Sequence, residues 1–114
     1  MKLEALMERI DARLITPGKP GVEIKRFYVS EKMSDLLNKA TGDTLLVSHI
    51  KNPQLSRVSE LFEVPVICLL NDIEPDAAML DAATENGTAL IVSPLGLDEA
   101  CKLLSKCLGG TADS

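Results

Sequence analysis

Polar side chains that could bind a ligand or carry out catalysis follow three apolar stretches of the sequence. The stretches cover residues 44–49, 64–70 and 89–93, and each ends in a short polar turn before a segment of helical periodicity. The candidate ligand-binding residues in and around these turns are Ser48, His49, Lys51, Asn52, Asn71, Asp72 and Ser93. Ligands of open α/β sheets bind beyond the carboxyl ends of the strands. The sequence therefore predicts a site at that edge of a sheet.

His49 and Lys51 are the residues most suited to binding an anion. Both precede a predicted helix at residues 53–62 for which Asn52 is the expected cap, and amide groups at a helix N-terminus attract negative charge. A nucleotide or a small anionic metabolite is therefore the ligand class that these residues favour. The structural alternative is that His49 is a half-exposed imidazole bonded to backbone. Because the chain has a single histidine and no matching cysteine, no metal site is predicted.

Asn71, Asp72 and Glu74 follow the second apolar stretch. Carboxylates at this position could accept a hydrogen bond from a ribose hydroxyl, bind Mg²⁺ or act as a base. The structural alternative, which the sequence favours, is that Asp72 or Glu74 caps the helix whose first turn contains Pro75. Asn71 and Asp72 remain candidates for ligand binding in either case.

Enzyme functions find less support in the sequence. A small hydrolase or transferase would use His49 with Asp72 or Ser93, but no nucleophile elbow surrounds Ser93 and Pro94 follows it directly. The glycine–lysine pair at residues 18–19 lacks the earlier glycine and the following Ser or Thr of a phosphate loop. A receiver-type phosphorylation domain would need an acidic pair after its first strand, and none is in place. The chain is therefore expected not to be an enzyme.

Composition limits the class of protein. Of the 114 residues 46% are apolar, and we expect residues 1–110 to form a single domain with a flexible tail at 111–114. A net charge of −5 without a basic run argues against nucleic acid as a partner. No apolar run approaches the roughly 20 residues that cross a bilayer, and no secretory signal is visible, so a cytoplasmic location is expected. The three cysteines are expected to act as small buried hydrophobic residues.

Hydrophobic periodicity predicts the elements that position the candidate residues. Helices are expected at residues 2–12, 53–62, 75–86 and 97–108, with another after Ser30. Further strands are expected at residues 13–15 and 23–29, on either side of a Pro/Gly-rich loop at 16–21. The predicted fold class is α/β, a small layered sandwich in which helices flank a mainly parallel sheet.

The order of several short motifs resembles that of a known family. The motifs are residues 3–15, Phe27-Tyr28-Val29-Ser30, residues 33–37, residues 42–47, Glu74-Pro75-Asp76 and Ile91-Val92-Ser93. Over about residues 3–104 the chain resembles a stand-alone DRTGG domain, which is similar to the N-terminal domain of bacterial HPr kinase/phosphorylase. The resemblance implies an HPr kinase N-domain-like fold, a homodimer, and a regulatory or ligand-sensing role without a cofactor. It also implies a partner enzyme or kinase.

Two turns depart from that family pattern. His49-Ile50-Lys51-Asn52 stands where a Gly-Asp-Arg-like segment is expected, and Leu69-Leu70-Asn71-Asp72 replaces a Thr-Gly-Gly-like turn. Glycines there would let a ligand approach the backbone closely. We interpret the chain as a non-catalytic regulatory module that binds a nucleotide or small anionic metabolite, or that docks onto a partner protein. The alternatives are a purely protein-docking or structural subunit and a small hydrolase or transferase.

Overall fold

One sheet and three helices contain most of the residues that the computed structural model describes, which are 1–19, 21–29, 44–48 and 65–108. In chain order the elements are α1 (Leu3–Arg9), β1 (Arg13–Thr16), β2 (Arg26–Val29), β3 (Thr44–Ser48), β4 (Val66–Leu69), α2 (Ala77–Asn86), β5 (Ala89–Val92) and α3 (Leu97–Cys107). The helices expected after Ser30 and at residues 53–62, and the tail at 111–114, lie outside the described residues. No helix in the described part of the chain is long and apolar enough to cross a membrane.

Five strands from the described segments form a single sheet in the order β1-β5-β4-β3-β2. From β2 to β5 all neighbours are parallel, whereas β1 pairs with β5 in the antiparallel direction. The prediction of a mainly parallel sheet is confirmed for these strands, with one antiparallel edge. β4 and β5 end one residue earlier than predicted because Leu70 and Ser93 already belong to the turns that follow.

β3, β4 and β5 are buried along their whole length. Successive side chains of a strand point to opposite faces of the sheet, so each strand contributes to two separate cores. The core against α1 and α3 contains Leu6, Val47, Cys68, Ile91 and Leu104. The core against α2 contains Leu46, Ile67, Met79, Ala83 and Leu90. Coverage on both faces explains why these strands are continuous apolar runs rather than alternating ones.

The N-terminal segment differs most from the prediction. α1 ends at Arg9 rather than at residue 12, because Asp11 adopts a left-handed backbone conformation with φ 54 that turns the chain into β1. β2 begins at Arg26 rather than at residue 23. The residues just before β2 are not part of the sheet. The Ile24 amide instead donates to the Met1 carbonyl at 2.7 Å.

The prediction that Asp72 or Glu74 caps the second helix of the described chain was wrong. The cap of α2 is Asp76, whose Oδ1 accepts a hydrogen bond from the Met79 amide at 2.9 Å. Gly87 ends the helix in a left-handed conformation with φ 68, where glycine carries no steric penalty. Asp72 therefore has no capping role in α2 and can make other contacts.

Gly18 lies so close to the start of β5 that a larger residue should clash. A Cβ atom at Gly18 would lie 2.6 Å from the Ala89 amide nitrogen, which donates to the Pro65 carbonyl. We expect Gly18→Ala to lower the free energy of unfolding in urea by about 1–3 kcal/mol. Gly96→Ala is the control, because its Cβ would lie 3.6 Å from Asn71 Oδ1 and it weakens only a helix cap. A smaller loss in Gly18→Ala than in the control would contradict the expected clash.

Cys68 should be unreactive in the folded protein. Burial raises the pKa of its thiol to about 12, whereas Cys101 and Cys107 on α3 are partly exposed, and none of these three cysteines is in a disulfide bond. Since the thiolate is the reactive form, we expect a disulfide reagent at pH 8 to modify two thiols of the native protein and the third after denaturation. In Cys68→Ala, denaturation should release no additional reactive thiol. Three similar rates in the native protein would show that Cys68 is accessible.

Candidate functional site

Four strands bring one of their ends to the same edge of the sheet. Ser48 pairs with Leu69 and Leu69 pairs with Val92, so β3, β4 and β5 end side by side. β1 runs in the opposite direction, and its first residue, Arg13, pairs with Val92. The start of β1 therefore lies beside the ends of the parallel strands, at what we call the carboxyl edge.

The turn after β4 has a backbone conformation that few residues adopt. Asn71 and Asp72 both have φ 57, and the Ile73 amide donates to the Leu70 carbonyl at 3.1 Å. Two consecutive positive φ values closed by this bond are the features of a type I′ turn, which favours glycine, asparagine and aspartate. The family resemblance implied a glycine-containing turn at this place. Asn71 and Asp72 keep the backbone conformation expected of glycines and add polar side chains.

The amides of Asn71 and Asp72 are both bonded within the protein. The Asn71 amide donates to the Leu95 carbonyl at 2.9 Å, and the Asp72 amide donates to the Ser93 carbonyl at 3.0 Å. These bonds tie the turn after β4 to the loop that joins β5 to α3. A ligand at the carboxyl edge would therefore meet the exposed side chains of this turn rather than its backbone amides.

Arg13 and Asp72 form an ion pair at the carboxyl edge. Arg13 Nη1 lies 2.7 Å from Asp72 Oδ1, and the two side chains are 52% and 56% exposed. An exposed pair of this kind stabilises a fold by only about 0–1 kcal/mol, so its main effect is to orient the two groups. Sequence reasoning did not identify Arg13 because its place at this edge depends on the antiparallel direction of β1. The signal available in the sequence was a basic residue, Arg13, at the start of a predicted strand.

Ser93 and Ser48 are buried at the carboxyl edge, with relative exposures of 0% and 1%. The Ser93 hydroxyl donates to the Ile10 carbonyl at 2.6 Å and accepts from the Leu95 amide at 3.2 Å. These bonds hold the end of α1 against the loop after β5. The Ser48 carbonyl accepts from the Leu70 amide at 2.9 Å, which continues the pairing of β3 with β4 into the turn.

The described part of the predicted site consists of the residues that follow β4 and β5 and the last residue of β3. The structure brings Ser48, Asn71, Asp72 and Ser93 to the same edge, as the sequence predicted. His49, Lys51 and Asn52 lie outside the described residues, so their part in the site stays a prediction. Whether any of these residues binds a ligand is likewise still a prediction.

The first turn of α3 does not provide an additional anion-binding group. Gly96 is its N-cap and makes no side-chain capping bond, but Asp98 and Glu99 already place carboxylates in the first turn. Negative side chains there satisfy the positive end of the helix dipole and would repel a bound anion. Within the described segments, no three His, Cys, Asp or Glu side chains are grouped closely enough to hold a metal ion.

Comparison with known proteins shows similarity in fold but not in sequence. No protein-family model matches the chain, and no curated protein sequence matches it. A solved structure with a similar fold is the crystal structure of the CBS and DRTGG domains of the regulatory region of Clostridium perfringens pyrophosphatase, complexed with its activator, diadenosine tetraphosphate. The TM-score is 0.75 at 13% sequence identity. At this identity the likeness shows a common fold.

The alignment with that regulatory region covers 94% of this chain and 47% of the pyrophosphatase chain, so this chain spans about half of its structural neighbour. The chain therefore has a small α/β fold like that of a CBS and DRTGG region, with a mixed rather than purely parallel sheet. The expected likeness to the HPr kinase N-terminal domain is not part of this finding and stays a prediction.

Ser93 should stabilise the fold through its two hydrogen bonds. In Ser93→Ala the buried Ile10 carbonyl and the Leu95 amide both lose a partner, so we expect a loss of about 1–3 kcal/mol in the free energy of unfolding. Ser105→Ala on the exposed face of α3 is the control and should change stability little. Urea denaturation of both variants measures the difference. Equal stabilities would mean that the hydroxyl of Ser93 is not needed to hold the carboxyl edge.

Proposed function

We propose that the chain is a non-catalytic regulatory module that binds a nucleotide or small anionic metabolite at the carboxyl edge and acts through a partner protein. The observation that carries this proposal is the fold shared with a regulatory region that was solved with a nucleotide activator. That structurally similar region is the regulatory region of a pyrophosphatase, and its structure contains the activator diadenosine tetraphosphate. A similar fold in this chain supports a similar kind of task, with a ligand and a partner of its own.

The geometry of the carboxyl edge supports the same proposal. Asn71 and Asp72 project from a turn that two backbone bonds hold in place, so their side chains are presented on a rigid support. His49, Lys51 and Asn52 follow the end of β3 in the sequence and complete the proposed site. In this arrangement Lys51 supplies positive charge to an anionic ligand, and the side chains of the turn after β4 bind its polar groups.

The contacts of Ser93 and Asp72 favour binding over catalysis. A serine nucleophile must present its hydroxyl to the substrate and lose its proton to a base. The Ser93 hydroxyl is buried and donates to a backbone carbonyl, and the Asp72 carboxylate is paired with Arg13. Neither group is arranged as the hydrolase or transferase alternative requires.

The resemblance of the sequence to the DRTGG family adds further parts to the proposal. We propose that residues 1–110 form one DRTGG-like domain and that the domain functions as a homodimer beside a partner enzyme or kinase. An HPr kinase N-domain-like fold and a cytoplasmic location belong to the same proposal.

A purely protein-docking subunit is the second candidate, and one observation favours it. Leu14, on the edge strand β1, is 48% exposed and is the one large hydrophobic residue exposed in the described segments. A single exposed leucine is smaller than the apolar patch that marks most interfaces. The pairing of β1 is also irregular between Leu14 and Thr16, and such irregularities discourage addition of a further strand. Ligand binding therefore remains the leading proposal.

A thermal-shift experiment tests ligand binding by this chain. Wild-type protein is heated with AMP, ATP, diadenosine tetraphosphate and phosphorylated metabolites, each at saturating concentration. A ligand at 100 times its Kd stabilises the folded state by about 2.7 kcal/mol, which corresponds to a rise in Tm of roughly 10 °C for a domain of this size. We expect Lys51→Glu to abolish the shift, because it replaces the attracting charge with a repelling one.

Lys106→Glu is the matched control for this experiment. It makes the same change of charge in the last turn of α3, at the opposite end of that helix from the carboxyl edge, and should keep the full shift. A shift that persists in Lys51→Glu would remove Lys51 from the site. If no compound stabilises the wild-type protein, the protein-docking subunit becomes the better explanation.

A further inference from the structure

Resting on the proposed function, we propose that Arg13 binds the phosphate chain of a nucleoside polyphosphate at the carboxyl edge and that Asp72 positions its guanidinium. Neither the apolar stretches nor the helix caps of the sequence point to Arg13. Its place in the site follows from β1, which runs antiparallel to β5 and so begins beside the residues that end β4 and β5.

The guanidinium of Arg13 is held by one nitrogen atom. In the described structure its hydrogen bond is from Nη1 to Asp72 Oδ1, at 2.7 Å. A guanidinium carries five N–H donors in a planar fork that matches two oxygens of a phosphate group. The contact with Asp72 uses one side of the fork and leaves the side chain 52% exposed, so an incoming phosphate can bind the remaining donors.

Asp72 is itself attached to a rigid support. Its amide donates to the Ser93 carbonyl, and the amide of the preceding Asn71 donates to the Leu95 carbonyl. The carboxylate therefore orients the guanidinium beside the turn that follows β4. A cation that is oriented before the ligand arrives loses less conformational freedom on binding than a mobile surface arginine.

The charges around Arg13 determine which anions it can bind. Asp11 and Glu74 are exposed two residues before Arg13 and two residues after Asp72, and both carry negative charge. These carboxylates oppose the binding of any anion, so the charge of Arg13 alone gives an anion little net attraction. The ligand must therefore gain affinity from a second point of attachment farther along the edge.

The length of the carboxyl edge favours a nucleoside polyphosphate. β1 and β3 are separated by β5 and β4, and three strand spacings correspond to about 14 Å. A single phosphate cannot span this distance, whereas a nucleoside with a chain of phosphates can extend along it. In this arrangement the terminal phosphate lies at Arg13, and the inner phosphates and the nucleoside lie toward the end of β3.

Calorimetric titration of ATP and AMP into matched variants tests the role of Arg13. We expect Arg13→Gln to weaken ATP binding roughly tenfold to hundredfold, because a hydrogen-bonded charge is lost, and to change AMP binding less. Asp72→Asn keeps an acceptor but removes the charge that orients the guanidinium, so ATP binding should weaken severalfold, by less than in Arg13→Gln. Lys106→Gln, at the far end of α3, is the control and should bind ATP normally.

A merely structural ion pair would give a different result, because either substitution would then have the same effect. Equal weakening in Arg13→Gln and Asp72→Asn, or normal ATP binding by Arg13→Gln, would overturn the role of Arg13. The proposed function would stand in both cases, since the wild type still binds the nucleotide. Arg13→Lys keeps the charge without the planar fork and should show an intermediate affinity, which provides a second test if Arg13→Gln does not fold.

Titration with inorganic tripolyphosphate distinguishes the phosphate contact of Arg13 from the proposed nucleotide sensing. Binding of tripolyphosphate that depends on Arg13, without binding of any nucleotide, would support the phosphate contact and overturn nucleotide sensing. If the wild-type protein binds neither tripolyphosphate nor any nucleotide, both proposals are overturned.

Discussion

Burial of β3, β4 and β5 on both faces constrains the rest of the molecule. A polar side chain in the middle of such a strand would need a partner inside an apolar layer, at a considerable cost in free energy. Polar residues are therefore confined to the ends of these strands, and within the described residues no buried side-chain nitrogen or oxygen lacks a hydrogen-bond partner. The same burial requires helices on both sides, so a ligand can reach the sheet only at an edge.

The reversal of β1 changes the chemistry of that edge. In a wholly parallel sheet the carboxyl edge would contain only strand ends and the turns that follow them. Because β1 enters antiparallel to β5, it also contains the start of a strand and the charge of Arg13. The Ser93 hydroxyl supports this arrangement, since it bonds to the Ile10 carbonyl in the segment that leads from α1 into β1. The fold and the proposed site therefore depend on the same few contacts.

The sequence predicted the parts of the fold that depend on local patterns. Three apolar runs that alternate with segments of helical periodicity indicated the parallel strands β3, β4 and β5 and the helices α2 and α3. The direction of β1 could not be read from four residues, because alternation of side chains carries no information about strand direction. The cap of α2 was misassigned because several carboxylates precede it, and only geometry distinguishes Asp76 from Asp72. The Arg13–Asp72 pair joins residues 59 positions apart, which no local pattern reveals.

The turn after β4 limits how any ligand can be recognised there. Glycines at Asn71 and Asp72 would allow a ligand to approach the backbone, and the left-handed conformation that glycines favour is present in this chain. Both amides, however, donate to carbonyls of the loop after β5. The backbone therefore has the conformation of a glycine-containing turn, but the amides of these two residues already donate within the protein and cannot donate to a ligand. Recognition at this turn must therefore come from the side chains of Asn71 and Asp72 and from the guanidinium that Asp72 holds.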